Sequence, residues 1–275
     1  MKKTIGIIGF GNMGSAIAEH LKTKYPVSIF DKDEGKVKNL FGLTLSASAL
    51  DLVKRSDVVI MAVKPQDLNA LLEEVRDYTE KKLFISIAAG ISTSRIEKYL
   101  RQAAVIRVMP NIGVKIGEAE SSLCKGRYAT EEDLSFVREL FDYLGKTWVM
   151  AEDMIDAATA ISGSGPAYIY YDMEVNKIDP LYVPEELERE YIRRLTEAAK
   201  GVGFDAQTAA ELAISTTASS LSLSASTRIA PVELRKQITS KGGTTEAALK
   251  VLDNNGSWTD AALAAQKRAK ELSRG

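Results

Sequence analysis

The stretch Thr4–Gly14, TIGIIGFGNMG, decides the first half of the fold. The apolar run Ile5–Ile8 ends in Gly9, Gly11 and Gly14, the G-x-G-x-x-G spacing, and the chain continues into the amphipathic segment NMGSAIAEHL. A strand that turns into a helix through three such glycines is built to hold a dinucleotide. Gly9 permits the tight turn, Gly11 lets a pyrophosphate approach the backbone, and Gly14 lets the helix pack closely on the strand. The helix start offers free N–H groups and a partial positive charge, so Phe10, Asn12 and Met13 join the glycines as expected contacts. The run VSIFD then places Asp31 at the end of a second strand, 22 residues after Gly9. An acid there hydrogen-bonds the adenosine ribose and repels a 2′-phosphate, which favours NADH. Lys32 and Lys36 stand where either could meet a phosphate, so the expectation is NADH or NADPH, leaning to NADH.

Outward from this stretch, short β-rich runs alternate with helical patterns: DVVIMAV, LNALLEEV, KLFISIA, RIEKYL, AVIRVM. That alternation predicts βαβ units and a mostly parallel sheet. Ala62, Val63, Lys64 and Pro65 then lie at the carboxyl edge of one strand, and Ala88, Ala89 and Gly90 at that of the next, where such sheets bind ligands. ESSLCKG is read as a further strand, TEEDLSFVRELFDYLG as a helix capped by Thr130 and stopped at Gly145, and KTWVM as an edge strand. Beyond about Met150 the patterns are helical and rich in Ala, Leu, Glu and Lys. The expected organisation is an α/β Rossmann-type domain, residues 1–152, followed by an all-α domain, residues 153–275. Pro180 and Pro184 break the helical pattern between them, and Pro184 is placed to begin a charged helix.

Composition narrows the partners. The chain has 275 residues and a formal net charge of -1, with no basic tract, which argues against nucleic acid or an anionic membrane. No apolar stretch approaches the ~18 residues of a spanning helix. The lone cysteine, Cys124, allows no internal disulfide, fits a reducing, cytoplasmic setting, and is read as a packing thiol. No metal-ligand spacing stands out.

A nicotinamide partner narrows the chemistry to hydride transfer. Reduction of a carbonyl calls for an acid beside the developing alkoxide. The one histidine, His20, falls at the far end of the first helix. The β-hydroxyacid dehydrogenases carry a lysine four residues after a glycine; in ISGSGPAYIYY the fourth residue after Gly165 is Ile169. A protonated imine needs no strong acid, because hydride addition neutralises its charge. The late stretch SKGGTTEAAL, Ser240–Leu249, suits such a substrate. Gly242, Gly243, Thr244 and Thr245 at a helix start could bind a carboxylate through backbone N–H groups and leave a threonine hydroxyl for the nitrogen. A plain capped loop explains the same residues equally well on local physics.

With these residues in hand the chain resembles the pyrroline-5-carboxylate reductase family. GFGNMG, AVKPQ, SIAAGI, RVMPN and SGSGPAY occur in that family's order. Pro231, Leu234, Ile238, Thr239, Ser240, Gly242, Gly243, Thr245, Ala248, Leu249 and Leu252 fill its C-terminal signature. The resemblance implies NAD(P)H-dependent reduction of 1-pyrroline-5-carboxylate to L-proline. It implies a 6-phosphogluconate dehydrogenase C-terminal-like helical domain that forms a homodimer, often within a larger oligomer of dimers. It also assigns Ser240, Gly242, Gly243, Thr244 and Thr245 to the substrate, with Thr245 catalytic, and Met109, Pro110 and Asn111 to the nicotinamide end of the cofactor; Lys241, by its charge, is placed beside the substrate carboxylate. Four departures stand out: Lys241 where proline is common, Ile112-Gly113 after MPN, Ala230 in place of a histidine, and about 20 extra residues over Asp172–Arg194. The extra segment is expected to be an added interface or lid. Two alternatives stay open: reduction of another cyclic imino acid, and a nucleotide-binding paralogue without turnover.

Overall fold

Ile5, Ile7 and Ile8 are buried in β1 (Ile5–Ile8), and every residue of the strand is shielded, as a central parallel strand covered on both faces requires. The computed structural model describes residues 2–38 and 40–274. The further strands are β2 (Val27–Phe30), β3 (Thr44–Leu45), β4 (Val58–Met61), β5 (Leu83–Ser86), β6 (Ala104–Met109), β7 (Ala119–Lys125) and β8 (Gly145–Val149). They form one sheet in the order β3-β2-β1-β4-β5-β6-β7-β8. Pairing is parallel from β3 to β6, and β7 runs antiparallel to β6.

The helices α1 (Asn12–Leu21), α2 (Ala49–Arg55), α3 (Pro65–Val75), α4 (Thr93–Tyr99) and α5 (Glu131–Asp142) follow strands in the first half. Local chemistry starts them: Ser48 accepts from the Asp51 N–H, Ser92 from the Arg95 N–H, and Thr130 forms a capping box with Asp133. Cys124 is buried in β7, and β8 takes the sheet edge.

In the second half come α6 (Glu152–Ala158), a π-helical turn (Thr159–Gly163), α7 (Gly165–Val175), α8 (Glu185–Gly201), α9 (Ala206–Thr227), α10 (Pro231–Ile238), α11 (Thr244–Asp253) and α12 (Trp258–Arg274). Tyr191, Leu195, Ala198 and Ala199 make the buried stripe of α8 at helical spacing. Trp258 organises the packing. Tyr191 stacks on it at 5.7 Å, Tyr168 meets it edge-on at 6.0 Å, and the Arg194 guanidinium lies 4.1 Å from its ring centre. Each such ring contact is worth about 0.5–1.5 kcal/mol beyond its buried area.

The proline-marked break is a helical hairpin. α7 stops at Val175, and Pro184 is the N-cap of α8. Asp172 clasps the two arms, accepting from the Tyr191 hydroxyl and from Arg194, each at 3.0 Å.

The chain divides into two compact units, Met1–Met109 with Ser121–Glu152, and Pro110–Glu120 with Asp153–Gly275. The expected division kept all of 1–152 together, whereas Pro110–Glu120 groups with the helices. Its short 3-10 helix, Ile112–Ile116, packs on α9, Glu118 accepts from Ser222 at 3.1 Å, and Lys115 donates to Gln237. These contacts lie over 100 residues away in sequence, out of reach of local pattern.

Candidate functional site

The sheet register levels the carboxyl ends of three strands. Ile8 pairs with Phe30 on one side and Met61 on the other, so Gly9, Asp31 and Ala62 leave the sheet along one edge. Gly9 has φ +98°, and a Cβ there would stand 2.5 Å from the Ala62 carbonyl oxygen. A Cβ on Gly14 would stand 2.0 Å from the Gly9 carbonyl oxygen. Neither position admits another residue without backbone movement. At Gly11 a Cβ would meet nothing within 4 Å. Gly11 is the N-cap of α1, with no side chain closing the helix start, and Asn12 and Met13 form its first turn. Two glycines are thus demanded by packing, and the third leaves open space where a phosphate can approach helix amides.

Asp31, 9% exposed, accepts from the Phe10 N–H at 2.6 Å and from the Asp33 N–H at 2.8 Å, with Lys36 Nζ at 3.6 Å. Burial alone would raise its pKa, but the two amides and Lys36 outweigh it and hold the carboxyl below its ordinary value. Lys32 pairs with Asp67 of α3 at 2.7 Å. The Ala62 N–H donates to Ile8 O at 2.7 Å, Val63 follows it, Lys64 is the N-cap of α3 and Pro65 its first residue. Ala88, Ala89 and Gly90 follow β5, with Gly90 at φ +70°. Met109 ends β6.

Pro110 and Asn111 belong to the segment that groups with the helices. Asn111 is spent on structure: its amide donates to Ser162 O at 3.1 Å, and its oxygen accepts from the N–H groups of Gly113 at 3.1 Å and Glu120 at 3.0 Å. Gly113 has a packing reason too, since a Cβ there would lie 2.3 Å from Glu118 O.

In the helical unit, Ser240–Gly243 makes the turn into α11. The Gly243 N–H donates to Ser240 O at 3.0 Å, and the Gly242 N–H donates to the Glu246 carboxylate at 2.9 Å. That amide, first with Lys250 next, holds the Glu246 carboxyl below its ordinary value. Arg268 of α12 anchors the turn through Gly242 O at 2.8 Å, and Lys241 is exposed. The two glycine amides are therefore engaged within the chain. The amides of Thr244, Thr245 and Glu246 meet no acceptor among the described residues, and Gly243 caps α11 without a side chain. The open amides are those of the first turn of the helix, Thr244 to Glu246, whereas the expectation from sequence ran over Gly242, Gly243, Thr244 and Thr245.

One residue that sequence reasoning left without a role joins this turn. Ser164, fully buried, lies 3.1 Å from Thr245 Oγ1 and 3.2 Å from Thr244 Oγ1. Thr245 is 4% exposed. The signal was SGSGPAY, which runs into α7 from inside the π-helical turn, an irregularity that often marks functional sites.

His20 lies in the last turn of α1, about two turns from Gly11, and Ile169 is buried in α7. Among the described residues no group of His, Cys, Asp and Glu could hold a metal ion, and no helix is long and apolar enough to cross a membrane. A cleft of about 980 Å³ opens at the opposite, amino-terminal edge of the sheet, beside Thr4, Asp57 and Arg101; Arg101 is paired with Asp77 there at 2.9 Å.

Comparison with known proteins gives a consistent picture. Residues 4–90 match the family model described as NADP oxidoreductase, coenzyme F420-dependent, and residues 190–272 match the one described as pyrroline-5-carboxylate reductase dimerisation. The chain is 34% identical to a pyrroline-5-carboxylate reductase of Methanosarcina acetivorans, covering 98% of this chain and 97% of that protein. The structure of a pyrroline-5-carboxylate reductase from Coxiella burnetii superposes with a TM-score of 0.67 at 29% identity, all of both chains being covered. That of the Plasmodium falciparum pyrroline carboxylate reductase with NADP bound gives 0.64 at 25% identity, covering 98% of each.

Proposed function

The chain belongs to the pyrroline-5-carboxylate reductase family, and from that premise we propose that it reduces 1-pyrroline-5-carboxylate to L-proline with NAD(P)H. The observation that carries this most directly is the start of α11. Three open amides and a nearly buried threonine hydroxyl stand in one helical turn, matching a carboxylate and a ring nitrogen in one small molecule.

The residues present fit a dinucleotide. Gly11 leaves the start of α1 open, Gly9 and Gly14 hold the turn, and Asp31 is kept ionised at the end of β2. When bound, the reduced nicotinamide supplies the hydride. Gly9–Gly14 hold the phosphates and Asp31 the adenosine ribose; Ala62–Pro65 and Ala88–Gly90 line the same sheet edge. Met109, Pro110 and Asn111 are assigned to the nicotinamide end of the cofactor, and the side-chain bonds of Asn111 fix the segment that carries it. We infer NADH as the better donor, because a fixed carboxylate repels a 2′-phosphate and Lys32 is paired with Asp67.

The substrate carboxylate binds the amides of Thr244, Thr245 and Glu246, with the positive end of α11 and Lys241 adding attraction. Ser240, Gly242 and Gly243 shape the turn that presents them. The Thr245 hydroxyl meets the ring nitrogen, holding the C=N bond in one orientation. The helical unit pairs two copies into a homodimer. The single, buried cysteine fits the cytoplasmic setting expected from sequence.

The test is spectrophotometric: oxidation of NADH and of NADPH by the purified chain with 1-pyrroline-5-carboxylate and with its six-membered homologue. The proposal expects turnover of the five-membered acid and a higher kcat/KM with NADH. Preference for the larger ring, or cofactor binding without turnover, contradicts it.

A further inference from the structure

Ser164 has one proton to give and two lone pairs to receive with, and in each of its two threonine contacts either hydroxyl can be the donor. Thr244 Oγ1 lies at 3.2 Å and Thr245 Oγ1 at 3.1 Å, brought together from 80 and 81 residues along the chain. The third neighbour is Tyr168, one turn along α7. Its hydroxyl donates to Ala160 O at 2.8 Å, so its single proton is committed and it can only accept from Ser164. Burial drives the Tyr168 phenol far up, and the Ser164 hydroxyl, as a donor to it, eases that rise. Ser164 thus has a resting partner on one side and two threonine hydroxyls on the other. Thr244 is half-buried, Ser164 is sealed from solvent and Thr245 is nearly so. The three oxygens therefore run from the surface into the protein and out to the hydroxyl assigned to the substrate nitrogen.

We propose that Ser164 is a positioning residue of the reduction, the middle member of a three-hydroxyl wire, Thr244–Ser164–Thr245, that brings a solvent proton to the substrate nitrogen. The inference rests on the assignment of the turn at α11 to the imino acid. The step balances as follows. As the C=N carbon gains a hydride from the reduced nicotinamide, the nitrogen takes the Thr245 proton. Thr245 takes the Ser164 proton, Ser164 takes that of Thr244, and water restores Thr244. The C=N π bond is reduced, one N–H bond forms, and one proton leaves solvent. The ionisable groups bearing on the wire are Tyr168 from α7, Lys241 and Glu246 on the turn and α11, and Arg268 from α12, which holds Gly242 O. Where α8 and α9 reach Gly165, beside Ser164, they present Leu195 and Thr216, which do not titrate.

The wire is needed when the imine arrives neutral and is redundant when it arrives protonated. Above the pKa of the substrate iminium, S164A is expected to lower kcat about tenfold, and below it less than about twofold. S164T, which keeps a hydroxyl, restores most of the loss. L-proline binding to the complex with oxidised cofactor, measured by calorimetry, stays within about twofold, because the amides that hold the carboxylate are untouched. In a T245V background S164A adds less than about twofold, since the wire is already cut. A loss that is equal at every pH, or that falls on proline binding instead of kcat, overturns the wire in favour of a structural serine. Should S164A fail to fold, the solvent isotope effect on the wild-type chain decides. A curved proton inventory above the iminium pKa supports several protons in flight, and a linear one overturns it. Absence of wild-type turnover removes both the wire and the functional assignment, whereas turnover with S164A unchanged at all pH values removes the wire alone.

Discussion

Two helices of this chain begin with glycine N-caps and no capping side chain, α1 at Gly11 and α11 at Gly243, yet they are open in different ways. At α1 the flanking glycines are squeezed by backbone, and the space over Gly11 is empty. The Ser15 hydroxyl in that turn is spent on the Gly11 carbonyl at 2.7 Å, and the nearby carboxylate, Asp31, is fastened to Phe10 N–H beside it. At α11 the turn is lined by three hydroxyls, and its Gly242 amide already holds the Glu246 carboxylate. The first suits a group that needs charge and room, a pyrophosphate. The second suits a small acid with a nitrogen, because it supplies amides for one end and a hydroxyl for the other. The glycines share a helix-start location, and the neighbouring side chains separate the two functions.

The largest effect is expected from breaking the first turn. A methyl at Gly14 meets Gly9 O at 2.0 Å, so G14A should weaken cofactor binding at least about a hundredfold and destabilise the unit by about 1–3 kcal/mol. G11A meets nothing, so the same readouts, cofactor titration and thermal unfolding, should show about tenfold weaker binding with an unchanged Tm. Equal unfolding losses for the two variants would erase the distinction between packing glycine and phosphate glycine.

Breaking the second turn at its hydroxyl should be milder. T245A is expected to lose about 1–2 kcal/mol of transition-state stabilisation in kcat/KM, with the fold intact by circular dichroism. An unchanged kcat/KM would take Thr245 out of the reaction.

D31N sharpens the comparison through charge. Its kcat/KM ratio of NADPH to NADH should rise about tenfold over wild type as the repulsion is removed. The variant also tests linkage. A carboxyl whose folded pKa is depressed contributes stability above its ordinary value of 3.8 and loses it as pH falls through the folded value. Wild type should therefore lose more stability than D31N on acidification below about pH 4, measured by urea unfolding. Parallel acid limbs would mean that Asp31 is not held ionised by the loop.

The smallest effect belongs to Glu246, which is half-buried, bonded to the Gly242 amide and paired with Lys250 at 3.6 Å. E246Q removes a negative charge beside the substrate carboxylate, so the KM for the imino acid should fall about twofold at low salt and less at high salt. A rise in KM would show that Glu246 orders the turn more than it repels the substrate.

Much of the first turn was legible because its determinants are local. The strand, the three glycines and the acid at the end of β2 fall within 31 residues, and each has a steric or electrostatic reason that sequence displays. Thr130 as a cap and Pro184 as a helix start were legible for the same reason. The second turn was half legible. SKGGTTEAAL gave the amides and threonines, but Glu246 on the Gly242 amide is a choice of rotamer that spacing alone does not make. Ser164 arrives at Thr245 only through the packing of α7 on α11, and Pro110–Glu120 joins the helices through contacts with α9 and α10. Neither leaves a periodic trace. Gly113 looked like a departure near the nicotinamide and is a steric requirement set by Glu118 O.

The most direct measurement is a crystal structure of the chain with L-proline and oxidised cofactor. The account predicts the proline carboxylate on the amides of Thr244, Thr245 and Glu246, its nitrogen within hydrogen-bond distance of Thr245 Oγ1, and the pyrophosphate over Gly11. Proline bound elsewhere, with Gly242 still closed by Glu246 and the Thr245 hydroxyl facing only Ser164, would contradict it.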